Sequence, residues 1–163
     1  MNLKLFERRF KNFTAPYAKL VDCTTLVESK FSISEGNSHL CIDILPVDGL
    51  PSDFDSVVSI YRKAGRYRSM LVLSEARLGE GKTLVRKLFK YIGKPVANLI
   101  GKEYFARQIE KLAMTVPFEN AEYVGIITWG LYGPGERMLK SEFQRLIEVE
   151  FEGYKFPAFF VLG

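Results

Sequence analysis

The sequence predicts an α/β fold, with α+β as the alternative, in a single domain. The chain has 163 residues, of which 47% are hydrophobic and 26% charged, a balance typical of a globular protein that buries a core. Short apolar runs rich in β-branched residues indicate strands, and stretches with apolar residues at helical spacing lie between them. Because neither an internal repeat nor a long linker divides the chain, we expect one domain over residues 1–163.

The N-terminal part of the chain predicts one helix and two strands. Apolar residues recur at helical spacing in residues 2–13, which predicts a short amphipathic helix. Residues 17–29 are rich in β-branched side chains and predict a strand. A turn over residues 32–38 separates this strand from a second one at residues 40–45. Residues 46–53 contain two prolines and a glycine and are predicted to form a loop.

The middle of the chain predicts three helices and one strand. Asp53 or Asp55 is the expected cap of the first helix. The apolar run SMLVL at residues 69–73 predicts a strand. Two further helical patterns, each ended by a proline (Pro95 and Pro117), cover residues 83–92 and 96–114.

The C-terminal part predicts mostly strands. Residues 123–133, YVGIITWGLYG, are predicted to form a strand that runs into a glycine turn. Residues 143–148 are amphipathic. The segment FEGYKF at residues 151–156 predicts a short strand or hairpin.

Positive charge is concentrated in two stretches. The net charge is +4 and the isoelectric point is about 9.0. Residues 62–68 hold four basic and no acidic side chains, and residues 80–111 hold eight basic side chains against three glutamates. These stretches either attract phosphate, an anionic polymer or a membrane surface, or form solvated helix faces. No motif for nucleic-acid binding accompanies them, so nucleic acid is not an expected partner.

Cysteine and histidine usage points to a reducing compartment. Cys23, Cys41 and His39 do not have the number or spacing of a zinc site. The N-terminus is too charged for a signal peptide, and no apolar run approaches the ~20 residues that span a bilayer. We therefore expect a cytoplasmic protein, with a peripheral position at the inner membrane face as a further possibility.

The segment ARLGEGKT, residues 76–83, resembles a phosphate-binding loop. The predicted strand before it and helix after it give the order that such a loop needs, with Lys82 and Thr83 reaching phosphate and magnesium. Ala76 replaces the first glycine, however, and no later apolar strand ends in an acidic residue. The alternative is a glycine-containing turn that caps a basic helix, so a P-loop NTPase remains a rival hypothesis.

Asp43 stands in the middle of an apolar strand, in the sequence LCIDIL. An ionised carboxylate in a dry core costs several kcal/mol, so it requires a partner. Strand alternation places it on the face opposite Ile42 and Ile44, where it either binds a divalent cation or pairs with an arginine or lysine. Asp48, which precedes a glycine, is predicted to shape a turn.

The segment WGLYGPGE, residues 129–136, places aromatic side chains before a glycine- and proline-rich loop. Such a loop can present Tyr132 and Glu136 to a ligand. The alternative is a turn whose aromatic side chains pack inward.

Three blocks of the chain together resemble the LicD-type phosphocholine transferases, relatives of the fukutin-type sugar-phosphate transferases. YAKLVDCTT, residues 17–25, is similar to the family's K-[IL]-x-D-x-x-T segment. LCIDILPVDGLP, residues 40–51, is similar to its I-D-I-F-P-L-D-G block, the most specific of the three. YVGIITWGLYGPGERMLKSEF with FEGYKFP, residues 123–143 and 151–157, resembles its tyrosine–glycine, glutamate and F-E-G segments.

The resemblance implies a nucleotidyltransferase-like fold, a mixed sheet flanked by helices, and a transferase that moves phosphocholine or a similar group. The donor is CDP-linked and the acceptor is a glycan of the cell surface, such as a polysaccharide, a lipopolysaccharide or a teichoic acid. By motif position, Asp43 is the implied catalytic residue and Mg²⁺ ligand. Lys19 is the implied phosphate contact with Asp22 as its partner, while Tyr132 and Glu136 shape the substrate cleft.

The chain departs from the family at both ends. The acidic D-D-D-[IL]-D motif that precedes the first block in the family, and supplies the other magnesium ligands, has no counterpart before Tyr17. The tail after the F-E-G segment is also missing. We therefore expect a partial domain, truncated at both ends and inactive alone. The alternative is a non-catalytic binding module or remnant that holds an anionic partner through its basic helices.

Overall fold

The computed structural model describes residues 3–7, 13–27, 39–80, 83–130 and 132–159. In these ranges the chain forms eight strands and four α-helices, which confirms the predicted class. The strands are divided among three small antiparallel sheets, whereas a single mixed sheet was expected. The predicted turn over residues 32–38 and the side chain of Lys82 lie outside the described residues.

The first sheet contains β1 (Leu3–Phe6), β2 (Ala18–Asp22) and β3 (Cys41–Ile44), with β2 in the centre. The strand predicted over residues 17–29 is confirmed for residues 18–22 and ends at the turn after Asp22, and the strand predicted over residues 40–45 is confirmed. The prediction of a helix over residues 2–13 is wrong at residues 3–6, which form β1. The backbone of β1 pairs with β2, and this pairing outweighs the helical spacing of the apolar side chains. Residues 8–12 of that predicted helix lie outside the described residues.

The second sheet contains β4 (Asp48–Leu50), β5 (Tyr123–Gly125) and β6 (Met138–Leu139). The predicted loop over residues 46–53 therefore includes a short strand, since its two prolines flank β4 and leave the strand's own N–H groups free to pair. The predicted strand over residues 123–133 stops at Gly125, where the chain leaves the sheet.

Helix α1 (Phe54–Ser74) is the centre of the molecule. Asp53 caps it as predicted, since its carboxylate accepts hydrogen bonds from the backbone N–H groups of Asp55 and Ser56. Its 21 residues include the run SMLVL, so the predicted strand at residues 69–73 is wrong. Short apolar runs fit a buried helix as well as a strand, and here they extend the buried stripe of α1. The strand that a phosphate-binding loop would need before Ala76 is thus absent.

Helices α2 (Leu84–Ile100) and α3 (Lys102–Ala113) meet at Gly101, whose φ of 93° is in the left-handed region. Pro95 lies inside α2 and does not end it, contrary to the prediction. Ala97 of α2 is buried against Phe105 of α3, and this packing offsets the hydrogen bond that proline removes. Within the described ranges no helix is both long and apolar enough to cross a membrane.

The C-terminal part forms α4 (Lys140–Phe143) and a hairpin of β7 (Leu146–Phe151) and β8 (Tyr154–Phe159). The prediction of a strand or hairpin near residues 151–156 is confirmed. Glu152 and Gly153 both have positive φ, of 50° and 78°, as a two-residue hairpin turn requires. The predicted amphipathic segment over residues 143–148 spans the end of α4 and the start of β7.

Two clusters of buried side chains lie along α1. One cluster packs α1 against the second sheet and consists of Leu50, Val57, Ile60, Tyr61, Ala64, Ala113 and Ile127. The other packs α1 against α2 and α3 and consists of Leu71, Ala97, Phe105 and Ile109. α1 therefore carries the contacts that position the candidate site.

Candidate functional site

Lys19 and Asp43 form an ion pair across two neighbouring strands. They lie opposite each other in the register of β2 and β3, and Lys19 Nζ is 3.3 Å from Asp43 Oδ1. The lysine side chain is only 8% exposed, whereas that of the aspartate is 42% exposed. The basic partner is one of the two alternatives predicted for Asp43. The dry core assumed for this carboxylate is absent, however, because β3 is exposed along its whole length and Asp43 is open to solvent on one side.

Two aromatic rings stand beside this ion pair. The ring of Tyr17, one residue before β2, lies 5.6 Å from Lys19 Nζ and 5.2 Å from the ring of Trp129, measured to ring centroids. Trp129 belongs to the turn that follows β5. We call Tyr17, Lys19, Asp43 and Trp129 the lysine site. Its four members come from the three sequence blocks that resemble the LicD-type family.

The surroundings of the lysine site keep Tyr17 protonated. Burial is the main cause that raises the pKa of Tyr17 above its usual range, and the charges of Asp43, Cys41 and Glu75 raise it further. A neutral phenol whose ring centroid lies 5.6 Å from a buried ammonium nitrogen adds a second hydrogen-bond donor to the same part of the molecule. Such a pair of donors suits an anionic oxygen, for example that of a phosphate.

A second group of polar side chains lies between α1 and the second sheet. We call Asp48, Tyr61, Arg68 and Glu136 the polar cluster. Asp48 Oδ2 accepts a hydrogen bond of 3.2 Å from the backbone N–H of Ile127. Glu136 Oε1 accepts one of 2.8 Å from the backbone N–H of the exposed Tyr132. These bonds tie the loop after β5 to both carboxylates.

Burial changes the acidity of three members of the polar cluster. It raises the pKa of Asp48 from 3.8 to about 6, against the hydrogen bond from Ile127, which lowers it. It also raises the pKa of Tyr61, with added effects from the charges of Glu136 and Asp48. Burial lowers the pKa of Arg68, and Glu136 and Tyr61 oppose that change. Partly buried groups that influence each other in this way are typical of functional sites.

Gly130 joins the polar cluster to the lysine site. Arg68 Nη1 donates a hydrogen bond of 2.7 Å to the carbonyl oxygen of Gly130, the residue after Trp129. A Cβ atom on Gly130 would collide with the carbonyl oxygen of Ile126 and with the carboxylate of Glu136. The loop can therefore fold tightly between the two groups only with glycine at this position.

The structure brings together some of the predicted site residues and separates others. Lys19 and Asp43 are in contact, and Glu136 belongs to the polar cluster. Tyr132 is 82% exposed at the rim of the loop. Asp22 was expected to partner Lys19, but strand alternation places it on the opposite face of β2, where its carboxylate caps the turn at Thr24. Asp43 occupies the cross-strand position beside Lys19, and a role for Asp22 in substrate binding stays a prediction.

Sequence reasoning missed Asp48, Tyr61 and Arg68. Asp48 was interpreted as a turn residue, since an aspartate before glycine is common in turns. Arg68 was counted in a basic stretch, although it follows Tyr61 by seven residues, two helical turns, on the side of α1 that is buried. An arginine at a core position of an amphipathic helix was the signal that could have revealed the cluster.

The described residues do not by themselves form a magnesium site. No group of three or more His, Cys, Asp or Glu side chains able to hold a metal ion occurs among them. Asp43 is paired with Lys19, and the carboxylates of the polar cluster lie around Arg68 and Tyr61 rather than beside Asp43. The donor set does not fit Mg²⁺, and the role of Asp43 as a metal ligand stays a prediction.

Comparison with protein-family models, with curated proteins and with solved structures finds no match to this chain.

Proposed function

We propose that this chain is a LicD-type transferase domain that binds a CDP-linked donor of phosphocholine or a similar group. The acceptor is a cell-surface polysaccharide or teichoic acid. One observation supports this proposal above others: residues from all three blocks that resemble the family meet in the lysine site. Tyr17 and Trp129 are separated by more than a hundred positions in the sequence, yet their ring centroids are 5.2 Å apart.

Lys19 is the proposed contact to the donor's phosphates. Its ammonium group is buried beside a carboxylate that is 42% exposed. In the proposed complex a phosphate oxygen replaces that carboxylate at the ammonium group, because an exposed carboxylate can turn toward solvent at little cost. The neutral hydroxyl of Tyr17 supplies a second donor to the same oxygen atoms. Tyr132 and Glu136, on the loop beside Trp129, are the proposed border of the substrate cleft.

In the proposed transfer, a hydroxyl oxygen of the acceptor bonds to the outer phosphorus of the donor. The bond from that phosphorus to the bridging oxygen breaks, and CMP leaves with the bonding electrons. The hydroxyl proton passes to a carboxylate, for which Asp43 is the candidate beside Lys19. The described residues include no group of side chains able to hold a metal ion. We therefore expect this chain alone to bind the donor but to transfer its phospho-substituent only slowly.

The proposed location is the cytoplasm, at the periphery of the inner membrane, where donor nucleotides and membrane-linked glycan acceptors meet. Nucleic acid is not a proposed partner. The alternative function is a non-catalytic binding module that holds an anionic partner. Binding of inorganic phosphate or sulfate as tight as that of CDP-choline would favour that alternative.

Calorimetric titration with CDP-choline, with and without Mg²⁺, tests the proposal. We expect Lys19→Met to weaken binding by about tenfold or more, since a charge-assisted hydrogen bond contributes about 1.5–3 kcal/mol. Methionine retains the length and apolar stem of lysine, and the exposed Asp43 stays hydrated, so the variant should remain folded.

Lys155→Met is the matched control. Lys155 is also paired, with Glu148 at 2.7 Å, but it lies on the exposed C-terminal hairpin. The Lys155→Met variant should bind CDP-choline as tightly as the parent chain does. If the parent chain binds no CDP-choline in either buffer, or if Lys19→Met binds as tightly as the parent, the proposed site is refuted.

A further inference from the structure

Helix α2 carries its apolar face on the outside of the molecule. Nine of its large apolar side chains are exposed, and Leu84 and Leu99 are 82% and 88% exposed. The nine are Leu84, Val85, Leu88, Phe89, Tyr91, Ile92, Val96, Leu99 and Ile100. Soluble proteins rarely expose a continuous apolar patch of this kind without a partner.

The opposite side of α2 packs against the protein. Ala97 is fully buried, and a Cβ atom on Gly93 would lie 2.7 Å from Leu73 of α1. Lys90 and Lys94 also face inward, where their ammonium groups donate hydrogen bonds to backbone carbonyls of the segment after α1. The small and basic side of this amphipathic helix is therefore the inner side, and the apolar side is left uncovered.

The exposed apolar side chains cover a wide arc of α2. At 100° per residue they span about half of the helix circumference. The apolar stripe through which two helices pack in a coiled coil is narrower than this arc, since it uses two positions in every seven. An arc of this width suits immersion in a soft apolar layer rather than contact with one other helix.

The charges of α2 all have one sign. Residues 84–100 include Arg86, Lys87, Lys90 and Lys94 and not a single acidic side chain. Arg86 and Lys87 lie just beyond the two edges of the apolar arc on the helical wheel. Two copies of this helix would repel each other, whereas an anionic surface would be attracted.

We propose that α2 binds the surface of an anionic lipid bilayer, lying in the plane of the membrane. Its 17 residues form a rod about 25 Å long. The apolar arc enters the boundary between headgroups and acyl chains, while Arg86 and Lys87 contact lipid phosphates. This inference does not depend on the proposed transferase activity, since α2 contributes no residue to the lysine site or the polar cluster.

Flotation of the full chain with lipid vesicles tests the inference. We expect the chain to bind phosphatidylcholine vesicles that contain about 30% phosphatidylglycerol, and to bind pure phosphatidylcholine vesicles far more weakly. The double variant Leu88→Gln/Ile92→Gln should lose at least about tenfold in vesicle affinity, because it removes two large side chains from the buried layer. Arg86→Gln should lose about fivefold on the anionic vesicles only.

Tyr154→Gln is the control, since Tyr154 is 71% exposed on the C-terminal hairpin, away from α2. It should bind vesicles as the parent chain does, and the variants in α2 should keep the parent's circular dichroism because they remove no buried contact. If Leu88→Gln/Ile92→Gln binds vesicles as the parent does, the surface is wrong. If the parent binds no anionic vesicles, or forms a dimer that this variant converts to monomer, the apolar face is covered by something other than lipid and the inference fails.

Discussion

Replacing Gly130 by alanine should lower the free energy of unfolding by about 2–3 kcal/mol. The new methyl group would meet the carbonyl oxygen of Ile126, which is backbone and cannot rotate away, and the carboxylate of Glu136. The loop would have to move, which would strain the hydrogen bond between Arg68 and the Gly130 carbonyl. Thermal unfolding should show a fall in Tm of roughly 5–10 °C.

Gly135→Ala is the matched control in the same loop. A Cβ atom on Gly135 would have no atom within 4 Å, and its φ is not in the left-handed region. Its unfolding free energy should change by no more than about 0.5 kcal/mol. Equal effects at the two glycines would show that the tight approach at Gly130 is not what fixes the loop. Because Trp129 is the neighbour of Gly130, Gly130→Ala should also weaken binding of CDP-choline.

Asp48→Asn should make the protein more stable at neutral and alkaline pH. Burial raises the pKa of this carboxyl from 3.8 to about 6, so its ionised form is disfavoured in the folded state. Asparagine keeps an oxygen to accept the hydrogen bond from Ile127 and carries no charge. If the carboxyl were fully buried, a pKa of about 6 would make the gain in the free energy of unfolding about 3 kcal/mol. We expect about 1 kcal/mol, because the Asp48 carboxyl is partly open to solvent, which screens its charge.

The pH dependence of this gain has a defined sign. Between about pH 4 and pH 6 the folded state binds a proton at Asp48 and the unfolded state does not, so the parent loses stability as pH rises through this interval. The difference between Asp48→Asn and the parent should be near zero below about pH 4 and constant above about pH 7. Denaturant unfolding of both proteins between about pH 4 and pH 7 measures this difference in the free energy of unfolding.

Asp55→Asn provides a control of opposite sign. Asp55 is exposed in the first turn of α1, where a negative charge is favourable, so its removal should cost about 0.5 kcal/mol at neutral pH. If Asp48→Asn also destabilises the protein at about pH 8, the carboxylate of Asp48 makes favourable contacts in its ionised form and its raised pKa is wrong. A confirmed gain would mean that the chain retains a carboxylate at a cost in stability, as functional sites do.

Much of the lysine site was accessible from the sequence. A carboxylate within the apolar run LCIDIL predicted a cation or a basic partner for Asp43, and a basic partner is present although β3 is exposed rather than buried. The sequence could not identify this partner, because only the register of β2 against β3 places Lys19 opposite Asp43. The position of Trp129 beside Tyr17 depends on contacts between segments far apart in the chain.

The polar cluster was hidden because each member has an ordinary local explanation. Asp48 fits a turn, Tyr61 fits the apolar stripe of a helix, and Arg68 fits a basic surface. Only the packing of α1 against the second sheet places these side chains together and removes them from water, which is what changes their acidity.

The sequence by itself determined the features that a few neighbouring residues control. The capping of α1 by Asp53, the strands β2 and β3 and the C-terminal hairpin follow from local hydrogen bonding and side-chain alternation. Tertiary structure alone decided that residues 69–73 are helical, that α2 continues through Pro95 and that its apolar face points outward. In these segments the local preferences are weak or conflicting, and the free energy of packing against distant segments is larger.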